Sequence, residues 1–368
     1  MKRITLIAAT LAALASCGQK NVPFLSGTLS GIEDGMLMAF YSGDGDTCVM
    51  AMDTIYLDNG KFTYNLEVTE PGAVMIVEPK HFVDNLTLYA VPGEHAVIKG
   101  TLTDYEMTGS PFYQDWYTFH KMAADNEAAR RALISSIPEE EDPDYDMAEF
   151  SAKDRALKQE WDKLAVDYIQ KYPESDVCAY LAHELSTIDD FDLADDTISD
   201  KVKKGPLGFL LVNKALALDA EALRQESMKN IFEGATAPDF SLKTSTGETF
   251  TLSEHRGGYV LLDFWGTWCG WCVEGLPTLK EIAHAYKDKL TVVSVDTRDP
   301  EGAWREGIEK YGMDWIQVYN SREDAIDSIY AVQGFPGFYL INPEGVIVMM
   351  SFGEPAHFVE KIGELISK

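Results

Sequence analysis

The segment that most restricts the fold is Tyr259-Val260-Leu261-Leu262-Asp263-Phe264-Trp265, apolar except for Asp263, which runs through Gly266-Thr267-Trp268 into Cys269-Gly270-Trp271-Cys272. The apolar run reads as a strand and the stretch from Gly270 to Tyr286 as an amphipathic helix, so the two cysteines stand where a strand gives way to a helix. The same alternation continues. Further strands are expected at Leu290 to Asp296, Trp315 to Tyr319, Phe338 to Asn342 and Val346 to Phe352, with helices at Glu301 to Tyr311 and Ala325 to Ala331. Strands alternating with helices in this way predict an α/β domain over residues 234–368, a central mixed sheet flanked by helices.

Asp263 through Cys272 resembles the thioredoxin superfamily. The longer segment from Ala237-Pro238-Asp239-Phe240 to Cys272 resembles its membrane-tethered periplasmic branch, the TlpA- and ResA-like thiol-disulfide oxidoreductases with a redoxin domain of the AhpC/TSA type. The resemblance implies a thioredoxin-like fold for residues 234–368 and a redox-active pair, Cys269 and Cys272, that forms a disulfide. Thiolates, not thiols, exchange disulfides, and the first helical turn acidifies a cysteine through unpaired backbone N–H groups and the helix dipole. Cys269 stands there, and such sites lower a thiol from about 8.5 into a range of roughly 3.5 to 7.5. On this reading Cys269 attacks a substrate disulfide and Cys272 resolves the mixed disulfide. The resemblance also implies that Asp263 is a buried carboxyl near the second cysteine. Burial would raise its pKa and suit it to carry a proton to or from Cys272; the alternative is a strand-end carboxylate reaching solvent. Pro336, in Gly334-Phe335-Pro336-Gly337, matches the family's cis-proline facing the pair, the alternative being a turn proline. Trp268, Trp271 and Phe335 are expected to form an apolar docking surface for a substrate chain, and Trp265 to lie in the core. The partners implied are protein thiols and disulfides, with a membrane electron donor if the chain reduces its substrates. No cofactor and no metal is implied.

The family pattern is not followed everywhere. The residue before the second cysteine is usually proline and here is Trp271, which leaves the redox poise open, with reduction favoured by resemblance. Relatives in cytochrome maturation carry a glutamate three positions after the second cysteine, where this chain has Gly275, with Glu274 beside it. Pro277 falls inside the expected helix and should kink it.

The N-terminus reads Met1-Lys2-Arg3 and then an apolar run from Ile4 to Leu14. That is the pattern of an export signal, too short to span a bilayer at about 20 residues. Its end, Leu14-Ala15-Ser16-Cys17, resembles a lipobox. A signal peptide over residues 1–16, lipid on Cys17 and a tether over 17–23 are therefore expected, with a periplasm-facing envelope location; an ordinary secretory signal is the alternative. Residues 24–108 alternate apolar and polar positions between turn residues, which predicts a β-rich domain. Asn59-Gly60 between Thr54–Asp58 and Lys61–Asn65 predicts a hairpin, because a type I′ turn needs positive φ at both central residues. This region resembles the small β-rich domain that precedes thioredoxin modules in some bacterial lipoproteins. From 109 to 232 the period turns helical, as in Phe150 to Tyr172 with Leu157, Trp161, Leu164 and Tyr168, and an exposed acidic loop is expected at Pro138 to Asp144. Cys48 and Cys178 are either buried free thiols or a pair.

Sixty acidic against 31 basic residues give a formal charge of -29, a field that repels phosphate backbones, so nucleic acid is not an expected partner. C-x-x-C also forms half of a structural zinc site, but no second close cysteine pair is present and no histidine lies within five residues of another. A thiol peroxidase would need a proline and a threonine ahead of its cysteine in an arrangement that Gly266-Thr267-Trp268-Cys269 does not provide. The competing reading of a different class is a lipoprotein that binds or scaffolds through its upstream domains and carries a vestigial thioredoxin module.

Overall fold

The structure, a computed structural model, describes residues 22–32, 35–43, 50–79, 81–138, 145–353, 361–363 and 365–366. Cys17, Cys48, the expected signal and the acidic stretch 139–144 lie outside these residues. Among the described residues, those up to Tyr168 form one compact unit and those from Ile169 a second.

The first unit opens with eight strands: β1 (Leu25–Leu29), β2 (Met36–Gly43), β3 (Met50–Tyr56), β4 (Lys61–Tyr64), β5 (Gly72–Glu78), β6 (His81–Ala90), β7 (Ala96–Gly100) and β8 (Tyr105–Gly109). They make two four-stranded sheets, ordered β4-β1-β7-β8 and β3-β2-β5-β6. The period of two sets the faces: in β2 Leu37, Ala39 and Tyr41 are buried while the residues between them are half-buried. Two helices follow, α1 (Pro111–Ile134), which starts with a proline at its first turn, and α2 (Met147–Lys171). Phe119 of α1 sets its ring edge-on against Trp161 and Tyr168 of α2, at 5.4 and 5.7 Å between centroids.

The expected hairpin at Asn59-Gly60 forms only as a turn. Both residues have positive φ, 51° and 77°, and Asp58 and Lys61 exchange backbone hydrogen bonds of 2.8 and 2.9 Å. The flanking strands then part, β3 pairing with β2 in one sheet and β4 with β1 in the other. Burial decides this. Phe62 and Tyr64 of β4 are buried, and the Tyr64 ring meets Phe24 just ahead of β1, with Gly60 accepting a hydrogen bond from Leu29 N–H at 2.8 Å. Local turn chemistry fixed the corner; side-chain burial chose the partner strand.

The second unit begins with α3 (Val177–Glu184), α4 (Ile188–Thr197), α5 (Asp200–Lys203) and α6 (Gly208–Ser227). Cys178 is a buried thiol in α3 whose Sγ donates to the Tyr172 carbonyl. A short antiparallel pair, β9 (Ser241–Lys243) and β10 (Thr249–Thr251), precedes the main run: β11 (Tyr259–Trp265), α7 (Gly270–Ala285), β12 (Leu290–Thr297), α8 (Glu301–Tyr311), β13 (Ile316–Asn320), α9 (Ile326–Ile329), β14 (Gly337–Ile341) and β15 (Ile347–Phe352). The strand and helix ends fall within a residue or two of those expected. The sheet order is β13-β12-β11-β14-β15, with β11, β12 and β13 parallel and β14 and β15 antiparallel to their neighbours. This is the thioredoxin-like fold.

Every residue from Val260 to Trp265 is buried, as a central strand covered on both faces must be. One face carries Val260, Leu262 and Phe264 with Val293, Val295, Val318 and Tyr339, packed against Phe240, Phe250 and Tyr330. The other carries Leu261, Val292 and Leu340 against Leu279 and Ile282 of α7. At its far end Trp265 meets Cys269, Cys272 and Leu276 of the α7 turn and Trp304 of α8. The cysteines thus sit off the carboxyl ends of the parallel strands, where open α/β sheets usually place their sites. Leu262→Ala, which empties a fully buried position of the central strand, should destabilise this unit by about 2–5 kcal/mol, read from urea unfolding followed by tryptophan fluorescence.

Candidate active site

The loop 266–269 turns the chain from β11 into α7. Gly266 is needed there, since a Cβ would stand 2.3 Å from the Trp268 indole nitrogen and 2.9 Å from the Thr297 carbonyl. Cys269 caps α7, and its Sγ accepts the Cys272 backbone N–H at 3.1 Å while its carbonyl accepts Val273 N–H at 3.1 Å. One of the unpaired amides of the first helical turn is therefore satisfied by sulfur, the arrangement that stabilises a thiolate. Cys269 and Cys272 are joined as a disulfide, with exposures of 6% and 3%. Pro277 lies inside α7, which continues to Ala285.

Asp263 sits two residues before Trp265, on the sheet face that α7 covers. It is buried, and its Oδ2 accepts the Ser294 hydroxyl at 2.7 Å, while Ser294 Oγ accepts the Trp315 indole N–H at 2.9 Å. Burial pushes the Asp263 carboxyl up to about 7, against a smaller downward pull from Ser294. A carboxyl that exchanges its proton near neutrality, on the sheet face that α7 covers, can serve as proton donor or acceptor in thiol chemistry.

Two further carboxyls lie at the end of β12 and in the loop after it. Asp299 Oδ2 accepts the Thr267 backbone N–H at 2.6 Å and Oδ1 accepts the Thr267 hydroxyl at 2.7 Å, tying down the loop that leads to Cys269. Asp296 is fully buried on β12, opposite Trp265 in register. Burial first, and the neighbouring Asp299 carboxyl second, push Asp296 up to about 10, so it holds its proton at neutral pH. Helix α8 presses on the same loop: a Cβ at Gly307 would come 2.6 Å from the Thr267 methyl.

The outer rim is aromatic. Trp268 is 48% exposed, donates its indole N–H to Thr297 O at 2.9 Å and meets Phe335 edge-on at 5.1 Å. Phe335 is half-buried and joined to the buried Pro336 by a cis peptide bond. Arg298 lies over both rings, 5.5 Å from the Trp268 centroid and 5.2 Å from that of Phe335. Trp271 is 66% exposed and makes no ring contact among the described residues.

Cys269, Cys272, Trp268 and Phe335 are thus brought together, and Phe335 carries Pro336 with it. Asp263 is not among these contacts; it lies on the sheet face it shares with Trp265, which packs against both cysteines, and Trp271 stands apart on the surface. Reading the sequence alone misses Asp296, Asp299, Thr267 and Arg298. The sign that singled out Asp263, a carboxyl inside an apolar run, is present again at Asp296 in Leu290-Thr291-Val292-Val293-Ser294-Val295-Asp296. Asp299 and Arg298 carry no comparable sign, because only the fold sets their loop beside 266–269.

A helix that begins at a paired cysteine, laid on a mixed sheet beside a cis-proline, defines a thioredoxin-like redox protein. Residues 234–350 match the AhpC/TSA family. The chain is 35% identical over 120 residues to a thioredoxin-like protein, YneN, of Bacillus subtilis (strain 168), covering 32% of this chain and 69% of that one. It is 30% identical over 148 residues to the thiol-disulfide oxidoreductase ResA of the same organism, covering 40% and 77%. Among solved structures it is similar to the thioredoxin domain of a thiol-disulfide oxidoreductase from Bacteroides vulgatus, with 29% identity, a TM-score of 0.35, and coverage of 37% of this chain and 99% of that one. The chain belongs to the AhpC/TSA family, among its thioredoxin-like thiol-disulfide oxidoreductases.

Two outcomes test the site's electrostatics. The folded pKa of Asp263 is raised, so the native state keeps a proton that the unfolded chain releases, and native stability falls as pH rises from the ordinary 3.8 to about 7 and is level above that. Asp263→Asn escapes this loss, so its stability relative to the parent protein should rise across that window to a gain of about 4 kcal/mol, measured by urea unfolding at a series of pH values. Asp299→Ala removes both bonds to Thr267 and should cost about 2–4 kcal/mol, with faster amide hydrogen exchange at residues 267 and 268.

Proposed function

We propose that this protein is a thiol-disulfide oxidoreductase of the cell envelope that reduces protein disulfides through Cys269 and Cys272. The observation that carries the reading is the Cys272 N–H directed at Cys269 Sγ at the start of α7. In the reducing direction the Cys269 thiolate attacks one sulfur of a substrate disulfide, which breaks the substrate S–S bond and expels one substrate thiolate. A mixed disulfide on Cys269 remains. The Cys272 thiolate then attacks Cys269 Sγ, the second substrate thiolate leaves, and the enzyme pair is oxidised to the disulfide while the substrate has gained two electrons. Asp263 takes the proton of Cys272 as it becomes a nucleophile, in keeping with its pKa of about 7. On this reading the backbone next to Pro336 pairs with the substrate chain, and Trp268, Trp271 and Phe335 offer apolar area to it. The cycle closes when a dithiol donor in the membrane reduces the pair again. The direction rests on the resemblance to ResA-like proteins, and the location on the N-terminal sequence, in which Cys17 would carry the lipid.

Cys269→Ser should abolish reduction of a protein disulfide such as that of insulin. Cys272→Ser should accumulate mixed disulfides, visible as shifted bands on non-reducing gels that collapse with dithiothreitol. Undiminished turnover in the Cys269→Ser protein would sink the mechanism.

A further inference from the structure

Arg298 is the one group at the rim that the reaction above does not use. It follows β12 in the left-handed region, at φ 70°, a conformation that non-glycine residues adopt only where their surroundings hold them. Its neighbours do so. Thr297 O is bound by the Trp268 indole and Asp299 by Thr267, so Arg298 is carried between two anchors onto the faces of Trp268 and Phe335. Trp268 directly precedes Cys269, and Phe335 packs against the cluster that holds Cys269 and Cys272, so the cation lies over two rings that adjoin the disulfide.

A cation–π contact holds a guanidinium by its charge rather than through an oxygen acceptor, so its N–H groups can still meet a carboxylate with two parallel bonds. Among the described residues nothing takes those N–H groups. Among the described residues Arg298 has neither a carboxylate partner nor a hydrogen-bond acceptor, although the chain carries 60 acidic residues. Arg305, Arg224 and Arg130 do have such partners, in Glu301, Glu221 and Asp154. We infer that Arg298 is a specificity-determining residue that selects disulfides bearing a carboxylate, from Asp, Glu or a chain terminus, next to the reacting sulfur. This rests on the thiol-disulfide reading above. With a formal charge of -29 the whole molecule repels such a substrate at a distance. Arg298 therefore acts at contact, inside a Debye length of about 8 Å at physiological salt, rather than by steering.

The test is a ratio of ratios. Two short cysteine peptides, alike except for Glu or Gln beside the cysteine, are each linked by a disulfide to 2-thiopyridine, a neutral leaving group. The reduced enzyme attacks the peptide sulfur, the S–S bond breaks, and the released 2-thiopyridone is followed by its absorbance. The intrinsic reactivity of each peptide and the overall field of the protein cancel when its Glu-to-Gln rate ratio is compared between the parent protein and Arg298→Gln. That ratio should fall about three- to fivefold in Arg298→Gln, with Arg298→Lys in between because it keeps the charge and loses the planar fork. An unchanged ratio, whether or not both rates fall together, overturns the assignment of Arg298 and leaves the redox reading standing. Absence of exchange with both peptides in the parent protein overturns the redox reading and this one with it.

Discussion

The parallel pairing of β11 with β12 is the constraint on which the site depends. Its register sets Asp263 beside Ser294 and Trp265 beside Asp296, and it ends both strands at the same level. The chain must leave both strands there, so loop 266–269 and loop 297–300 emerge side by side. Three polar contacts of the site join these two loops or these two strands: Thr267 to Asp299, Trp268 to Thr297, Ser294 to Asp263. A shift of register by one residue would turn Asp263 and Trp265 to the opposite face and leave α7 without its floor.

The same pairing explains how two carboxyls can lie inside an apolar sheet. An ionised carboxylate in such a place would cost several kcal/mol, and an acid avoids the cost by keeping its proton. Asp263 and Asp296 do this to different degrees, up to about 7 and about 10, and the difference follows from their neighbours. Asp263 has a hydroxyl donor in Ser294, which favours the ionised form. Asp296 faces the Asp299 carboxyl, which disfavours it. Two acids two positions apart in their strand registers thus differ in charge: one exchanges its proton near neutrality, while the other stays neutral beside Asp299, which holds the loop through Thr267.

What the sequence made legible follows from which signals are local. The strand before Cys269, the helix after it and the alternation behind them are written in apolar periodicity, and the elements from Tyr259 to Phe352 stand almost where that periodicity puts them. Asn59-Gly60 shows the limit. The turn is local and forms, but the choice of partner for β4 depends on where Phe62 and Tyr64 find burial, which involves Phe24 and Leu25 some 40 residues away. The site divides in the same way. Cys269, Cys272 and Asp263 are adjacent to their motif and can be read; Asp299 and Arg298 act on that motif from about 30 residues downstream, through a strand pairing that no local pattern encodes.

The protein's acidity poses a problem for a nucleophilic sulfur, since a thiolate gains nothing from carboxylates around it. The structure answers it by position. The first turn of α7 offers Cys269 a backbone N–H, and the buried acids on the neighbouring strands, Asp263 and Asp296, favour their neutral forms because they are buried. Surface carboxylates are screened by water and salt, whereas a charge beneath the sheet would act on the sulfur almost unscreened. An excess of negative charge on the outside is therefore compatible with an anionic sulfur within, provided that the interior acids are neutral once the thiolate has formed: Asp296 by holding its proton, Asp263 by keeping its own or taking one up. For Asp263 that condition weakens above about pH 7, where its own ionisation begins to oppose the second thiolate at Cys272. On the proposed reading, in which Asp263 receives the proton of Cys272, the burial that raises its pKa to about 7 thus lets one carboxyl take up that proton and withdraw its own charge in the same step.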